Sequence, residues 1–252
     1  MKPFVANDSI VREIWGKSDT ILFIFAGASA EFALNKAVDW LYFTGRLPAD
    51  PLGRLFSTVS YARQIVFAPE EEALKAIDKI TAIHKGVEAA RGATIPDWAY
   101  RDVLFLLIHY SIAAFELLER KLTGEEKAEL YNVFLQIGMR MGLKDLPANY
   151  TAWLPVRAAH LQEDLIKSHF TTDLYLQYRK HLGAFRYGVL KEGQKLVVPE
   201  LVAKLLGLTK PSLLTPIVPL YKFSRVIRLD SLIKKALLPA AYSKQIKALD
   251  RH

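Results

Sequence analysis

Residues 103–115 read Val-Leu-Phe-Leu-Leu-Ile-His-Tyr-Ser-Ile-Ala-Ala-Phe, and this stretch decides the fold class of the 252-residue chain. The dipeptide Pro96-Asp97 precedes it as a helix-start signal. The run is too short to span a bilayer, and it contains His109. A helix that is apolar on nearly all sides is buried inside a protein. We therefore predict a central helix over 97–121, against which the rest of the chain packs.

The segments on both sides of this helix also repeat at helical period, and start and stop signals separate them. After a short helix that follows Asn7-Asp8-Ser9, the predicted helices cover about 19–42, 51–67, 69–91, 97–121, 124–142, 149–168, 172–183, 197–207 and 231–249. Only 195–198 and 216–220 indicate extended chain, and neither alternates as a strand does. The sequence therefore predicts an all-α, single-domain multi-helix bundle.

Three of the helix starts are explicit in the sequence. Asp50-Pro51 is an N-cap followed by proline at the first helical position. Pro69 precedes three glutamates, which are favourable at the positive end of a helix dipole. The tetrapeptide from Thr123 to Glu126 has the pattern of a capping box.

The composition excludes several classes of function. Because the chain has no cysteine, it cannot form a disulfide scaffold, a zinc ribbon, a cysteine-ligated iron–sulfur cluster or a cysteine nucleophile. A metal would have to use side chains such as its six histidines, of which His160 and His169 are assigned to solvated helix faces. Residues 1–18 lack the apolar core of a signal peptide, so we expect a cytoplasmic protein.

The net charge of +8 is confined to the last third of the chain. Residues 1–169 hold 19 Lys/Arg against 21 Asp/Glu, whereas residues 170–252 hold 15 against 5. We expect a helical domain over 1–183 and a basic helical extension over 184–252 packed on the same domain. The segment 232–247 suits either a peripheral membrane contact or a packed helix with solvated lysines. No helix-turn-helix or aromatic-lined basic groove accompanies the charge, so no nucleic-acid partner is expected.

His84 is the first candidate for a ligand. It continues an apolar stripe of Ala73, Ile77, Ile80 and Val87, whose spacing places the imidazole on the buried face of its helix. A histidine in such a place is either a hydrogen-bonded core residue or a ligand, and the pattern leaves both open.

Four other residues are candidate site residues. His109 lies inside the central helix. Arg54 and Thr58 are one turn apart on one helix face, a spacing that suits an anion or a cofactor carboxylate as well as ordinary packing. Gly27 lies in the small-residue run 26–30, which permits close helix packing or contact with a flat ligand. We include it among the candidate cofactor contacts.

Three blocks of sequence, in their order and spacing, resemble the catalytic-domain family of the oxygenase MpaB and rubber oxygenase (latex-clearing protein). The first is Asp50-Pro-Leu-Gly-Arg-Leu55, followed by Thr58. The second is Thr81-Ala-Ile-His-Lys-Gly-Val87, and the third is Leu106-Leu-Ile-His109. The resemblance covers roughly residues 9–180.

That resemblance implies a helical fold that holds one haem b between core helices, with His84 as the axial iron ligand. Histidine ligation agrees with the absence of cysteine. Latex-clearing oxygenases carry an Arg-x-x-Lys-Thr motif whose lysine approaches the distal side of the haem. Here the motif reads Arg54-Leu-Phe-Ser57-Thr58, so serine stands in the position of that lysine.

We therefore expect a haem b-dependent oxygenase or oxidoreductase that acts on a small apolar, isoprenoid-like substrate with dioxygen. Arg54 and Thr58 would bind a propionate or line the distal side, and His109 would be a base, a distal residue or a second ligand. One alternative is a non-enzymatic haem-binding or sensing protein in which His84 and His109 both bind iron. Another is a helical scaffolding protein without cofactor.

Overall fold

The computed structural model describes residues 2–45 and 49–226, and apart from two isolated β-bridges the regular structure in this part of the chain is helical. In chain order the helices are α1 Ile10–Trp15, α2 Ser18–Phe32, α3 Val38–Phe43, α4 Pro51–Phe67, α5 Glu70–Arg91, α6 Asp97–Leu118, α7 Gly124–Arg140, α8 Tyr150–Glu163, α9 His169–Val197, α10 Glu200–Leu206 and α11 Ile217–Val226. The predicted all-α fold is confirmed.

Helix α6 is the central helix, as its sequence predicts. Phe105, Ile108 and Phe115 are buried in the main hydrophobic core. Helix α2 packs against α6 more extensively than any other pair of helices in the described residues. Gly27 permits this close approach, because a Cβ atom at that position would lie 2.2 Å from the Tyr110 ring.

The local helix signals have the predicted structures. The Asp50 side chain accepts a hydrogen bond from the Gly53 amide at 2.8 Å and so caps α4. Thr123 and Glu126 form the reciprocal bonds of a capping box at the start of α7. Helix α5 ends at Gly92, which has a left-handed φ of 69°.

The single helix predicted over 19–42 is wrong, because the structure divides this segment into α2 and α3. Asn35 lies at the break. Its Oδ1 accepts a hydrogen bond from the Ala37 amide at 2.8 Å, and its Nδ2 donates to Asp102 Oδ2 at 2.6 Å. Asparagine side chains compete with helical backbone bonds in this way. The Ile166 amide also donates to the Leu34 carbonyl, which holds the break against the segment after α8.

The C-terminal part is more helical than predicted. The patterns of residues 195–198 and 216–220 indicate extended chain, but residues 195–197 end α9 and residues 217–220 begin α11. The predicted end of a helix at 183 is instead a kink, at which Gly183 has φ 73° and ψ 166°. The predicted boundary between 1–183 and 184–252 falls at this kink, and the division stays a prediction.

The predicted helix over 231–249 lies outside the described residues. Within residues 2–45 and 49–226, no helix is both long enough and apolar enough to cross a membrane.

Candidate functional site

A cavity of about 570 Å³ lies among helices α2, α4, α5, α6, α9 and α11. Small-molecule and cofactor pockets have volumes of roughly 300–1,000 Å³. Most of its wall is aliphatic or aromatic, with a small number of polar side chains. Those with the most distinctive chemistry are Asp19, Arg54, Thr58, His84, Tyr100 and Arg186. A mostly apolar wall with few polar groups is the usual form of a binding site for an apolar ligand.

His84 reaches this wall from α5, as its apolar stripe predicts. Ile77 and Ala73, about two and three turns earlier, are buried in the core, whereas the half-buried His84 ring faces the cavity. Its Nδ1 atom is buried and has no hydrogen-bond partner among residues 2–45 and 49–226. The ring lies beside Tyr100, with 5.1 Å between the two ring centroids.

The electrostatic surroundings of His84 keep its imidazole neutral. Burial is the main cause that lowers its pKa, and the positive charge of Arg54 lowers it further, while Glu88 opposes both. A neutral imidazole keeps a free electron pair on one ring nitrogen, which is the form that binds a metal. The structure therefore presents a potential ligand atom at an apolar cavity.

Arg54 and Thr58 line the same cavity from α4. The capped start of α4 places Arg54 in its first turn and Thr58 in the next one. The Thr58 hydroxyl donates to the Arg54 carbonyl at 3.2 Å, so its oxygen can still accept a hydrogen bond from a ligand. The structure thus brings together three predicted site residues, Arg54, Thr58 and His84, from two helices.

Gly27 and His109 lie elsewhere in the described structure. Gly27 faces the Tyr110 ring, and it is the neighbouring Ala26 and Ala28 that line the cavity. His109 also contacts the Tyr110 ring, edge-on at 4.9 Å between centroids, and is absent from the described cavity wall. Burial and the positive charge of Arg157 lower the pKa of His109 to about 4, against a smaller opposing effect of Glu31.

A buried ion pair between Glu31 and Arg157 connects α2 with α8, and sequence reasoning missed it. The two guanidinium nitrogens of Arg157 donate to the two oxygens of Glu31 at 2.7 and 2.5 Å. The Tyr110 hydroxyl donates to the same carboxylate at 2.9 Å. The available signal in the sequence was Arg157 itself, a charged residue four positions after Trp153 on an otherwise apolar helix face.

A second buried polar cluster corrects the assignment of His160 to a solvated face. His160 Nδ1 lies 2.5 Å from Asp102 Oδ1 and 3.3 Å from Asp164 Oδ2, and its side chain is 11% exposed. Burial and the nearby Asp102 charge raise the pKa of Asp164. The three groups lie close enough to hold a cation, with ligand atoms within 4.8 Å of one another. Asn35 joins the cluster from the break between α2 and α3, where its Nδ2 donates to Asp102 Oδ2. The i, i+4 spacing of His160 and Asp164 was the available sequence signal.

Arg186 is the other wall residue that sequence reasoning missed. It enters the cavity from α9, three residues after the kink at Gly183. In sequence it sits between Phe185 and Tyr187 in a basic region, and nothing in this pattern distinguishes it from an exposed arginine.

The comparison with protein families shows to which family the chain belongs. The family model described as "ER-bound oxygenase mpaB/B'/Rubber oxygenase, catalytic domain" matches residues 15–229. No curated protein and no solved structure matches the chain. The match includes the three sequence blocks and contains the described cavity wall from Asp19 to Tyr221. Compared with the predicted range 9–180, it begins six residues later and ends 49 residues later. The chain therefore belongs to the MpaB/rubber oxygenase catalytic-domain family, a family of oxygenases.

Proposed function

We propose that the protein is a haem b-dependent oxygenase that acts on an apolar, isoprenoid-like substrate, with His84 as the axial iron ligand. One observation carries the proposal. A neutral histidine with a buried, partner-free ring nitrogen lies on the wall of a large apolar cavity. Other buried polar atoms of the described residues also lack a partner, and what distinguishes the His84 nitrogen is that its ring faces the cavity, where a bound group could supply the missing interaction.

The residues at the cavity fit a haem. The volume and apolar wall suit a macrocycle, and the neutral His84 imidazole suits its iron. Arg54 and Arg186 both line the wall, and guanidinium groups bind carboxylates such as propionates. Ser57 is half-buried on α4, where the latex-clearing motif has lysine.

When bound, the haem would supply the chemistry of oxygen activation, and the protein would supply binding and orientation. Arg54 would bind a propionate and, through its positive charge, help to keep His84 neutral. Tyr100 would limit the rotation of the His84 ring, since it packs beside that ring while its hydroxyl donates to Glu88 Oε1 at 3.2 Å. The apolar wall would bind an apolar substrate and exclude water.

The experiment is reconstitution of the purified chain with haemin. We expect a Soret band from the wild-type protein and at least tenfold weaker haemin binding by His84→Gly. Added imidazole should restore the band in His84→Gly, because it can occupy the space of the missing ring. His169→Gly, a change at an exposed histidine, is the matched control and should bind as the wild type does. An unchanged spectrum and affinity in His84→Gly would remove the proposal.

The alternative with two histidine ligands stays a prediction, and the described geometry does not favour it. His109 lies off the cavity wall to which His84 contributes. Carbon monoxide binding by the reconstituted wild-type protein distinguishes one histidine ligand from two. A ferrous haem with an open position binds carbon monoxide, whereas a haem held tightly by both histidines does not.

We also propose that the protein meets its substrate at an anionic membrane surface. Helix α11 covers one side of the cavity, where Val218 and Tyr221 line the wall and the Tyr221 hydroxyl donates to Asp19 at 3.1 Å. Leu220 and Phe223 of the same helix are 68% and 64% exposed. The sequence from 207 to 226 carries three Lys/Arg and no acid. Exposed apolar side chains with nearby positive charge favour contact with anionic lipid.

Liposome sedimentation tests the surface contact. We expect more protein to bind vesicles of phosphatidylcholine with phosphatidylserine than vesicles of phosphatidylcholine alone, and salt to weaken this binding. The double variant Leu220→Asp with Phe223→Asp should bind about tenfold less, because it loses apolar contact and adds negative charge. Leu176→Asp, at an exposed leucine of α9, is the control. Binding that ignores lipid charge, or an unaffected double variant, contradicts the proposal.

A further inference from the structure

Arg186 lacks a counter-ion among the described residues, although it lies at the apolar cavity. Its Nε atom is buried, and no residue in the described part of the chain forms a hydrogen bond with it. No described residue forms an ion pair with its guanidinium. The neighbouring wall positions on the same helix are Leu182, Val189 and Leu190, so its surroundings on α9 are aliphatic.

Other charges on the cavity wall do not neutralise Arg186. Asp19 is the carboxylate on that wall, and its two oxygens accept hydrogen bonds from the Thr20 amide and the Tyr221 hydroxyl. Arg54, the second guanidinium on the wall, has the same sign as Arg186. Arg186 is half-buried, and an anion that pairs with a partly desolvated cation stabilises it.

We propose that Arg186 forms an oxyanion subsite of the cavity, which binds the carboxylate of an otherwise apolar ligand. The planar guanidinium offers paired N–H donors that match the two oxygens of a carboxylate. The aliphatic neighbours on α9 would then contact the apolar part of the same ligand. Two ligands have this chemistry: a haem, through a propionate, and a long-chain acid bound as substrate. Only the first of these rests on the proposed function.

The experiment compares two acids with their uncharged counterparts. The probes are haemin and its dimethyl ester, and palmitate and hexadecanol, each titrated against the full chain by quenching of tryptophan fluorescence. The variants are Arg186→Met, which removes the charge, and Arg186→Lys, which keeps the charge without the planar fork. Arg179→Met is the control, since Arg179 is an exposed arginine of the same helix.

We expect Arg186→Met to weaken the binding of at least one acid by about 10- to 100-fold, as for loss of a charged hydrogen bond. The affinity for its uncharged counterpart should stay the same, and Arg186→Lys should be intermediate. A loss confined to palmitate identifies a substrate carboxylate, and a loss confined to haemin identifies a propionate. A loss for both acids shows that the subsite accepts either.

Three results would overturn the inference. The first is an Arg186→Met variant that binds both acids as the wild type does. The second is an equal loss for acids and uncharged counterparts, which would show a structural role. The third is a wild-type chain that binds none of the four probes. Failure of the proposed haem function is separate, because it abolishes haemin binding and leaves the palmitate comparison intact.

Discussion

The two sides of helix α6 differ in how far their buried polar groups are paired within the chain. Towards α8, the charges of Glu31 and Arg157 form a bidentate pair, to which Tyr110 adds a third hydrogen bond. Towards α5 and α9, the Nδ1 atom of His84 and the Nε atom of Arg186 are buried without a partner at the wall of a cavity. The Nε atom of Arg157 also lacks a partner among the described residues, but Glu31 compensates the charge of Arg157, whereas no described residue compensates that of Arg186. We call the side of α6 with the ion pair the closed side, and the side at the cavity the open side.

This difference separates groups that stabilise the fold from groups that are available to a ligand. A buried network built around a paired charge holds its helices together, and removal of one member leaves the others with unmet bonds. An unsatisfied group contributes no such bond to the fold, so its removal should affect ligand binding far more than the free energy of unfolding. Changes on the two sides of α6 should therefore be distinguishable in a denaturation experiment.

The largest effect is expected for Glu31→Ala. Loss of one partner of a buried ion pair leaves Arg157 uncompensated and should cost about 3–5 kcal/mol of unfolding free energy, measured by urea denaturation. Asp78→Ala is the matched control, because it removes an exposed carboxylate that also forms two hydrogen bonds with an arginine, Arg140. The comparison fails if both variants shift the urea midpoint equally.

The parts of this structure that depend on neighbouring residues could be predicted from the sequence. The Asp50 and Thr123 caps and the glycine stop at Gly92 each join atoms a few residues apart, so their patterns sufficed. The buried position of α6 also follows from its own composition. The helix face of His84 was predicted correctly, because an apolar stripe of several turns fixes the orientation of α5.

The parts that depend on distant partners could not be predicted. Asn35 breaks a helix because Asp102, 67 residues later, accepts its side-chain bond. Arg157 lies 126 residues after Glu31, and although the position of Arg157 on an apolar helix face is a local signal, nothing local identifies Glu31 as its partner. What distinguishes Arg186 is that no described residue forms an ion pair with it. Only the arrangement of helices around the cavity shows this. The sequence therefore identified His84 as the candidate ligand, but it did not identify Arg186 as the second cation of the cavity.

The next largest effect on stability is expected from the titration of His109, which is influenced by Arg157 and Glu31 on the closed side of α6. Its pKa falls from 6.5 to about 4 on folding, mainly through burial and also through Arg157. Between these values the unfolded chain binds a proton that the folded chain does not, so stability decreases as the pH falls from 6.5 to about 4. The loss should reach about 3 kcal/mol by the lower limit and be absent above pH 6.5.

Urea midpoints at pH 7.5 and 4.5 measure this loss. The variant His109→Gln cannot take up the proton, so its midpoint should fall less over the same interval. Titration of carboxylates affects both proteins alike, which makes the difference between them the diagnostic quantity. Equal pH dependence would mean that His109 is hydrated in the folded chain, and would break the contrast between the two sides of α6.

The smallest effect is expected for Gly27→Ala, which tests the packing of α2 on α6. A Cβ atom at this position would lie 2.2 Å from the Tyr110 ring, so the ring must move, and with it the hydroxyl that binds Glu31. We expect a loss of about 1–3 kcal/mol, as for other overpacked cores. Gly86→Ala is the control within α5, where an added Cβ meets nothing within 4 Å and alanine should favour the helix.

The same variant separates the two predicted roles of Gly27. If the glycine serves only helix packing, Gly27→Ala lowers the urea midpoint and leaves the haemin affinity of the folded protein within about twofold of wild type. If the position touches a cofactor through the wall that Ala26 and Ala28 form, haemin affinity falls while the midpoint changes little. Since the Tyr110 ring already occupies the space beside Gly27, we expect the first result, which would assign this glycine to the closed side of α6.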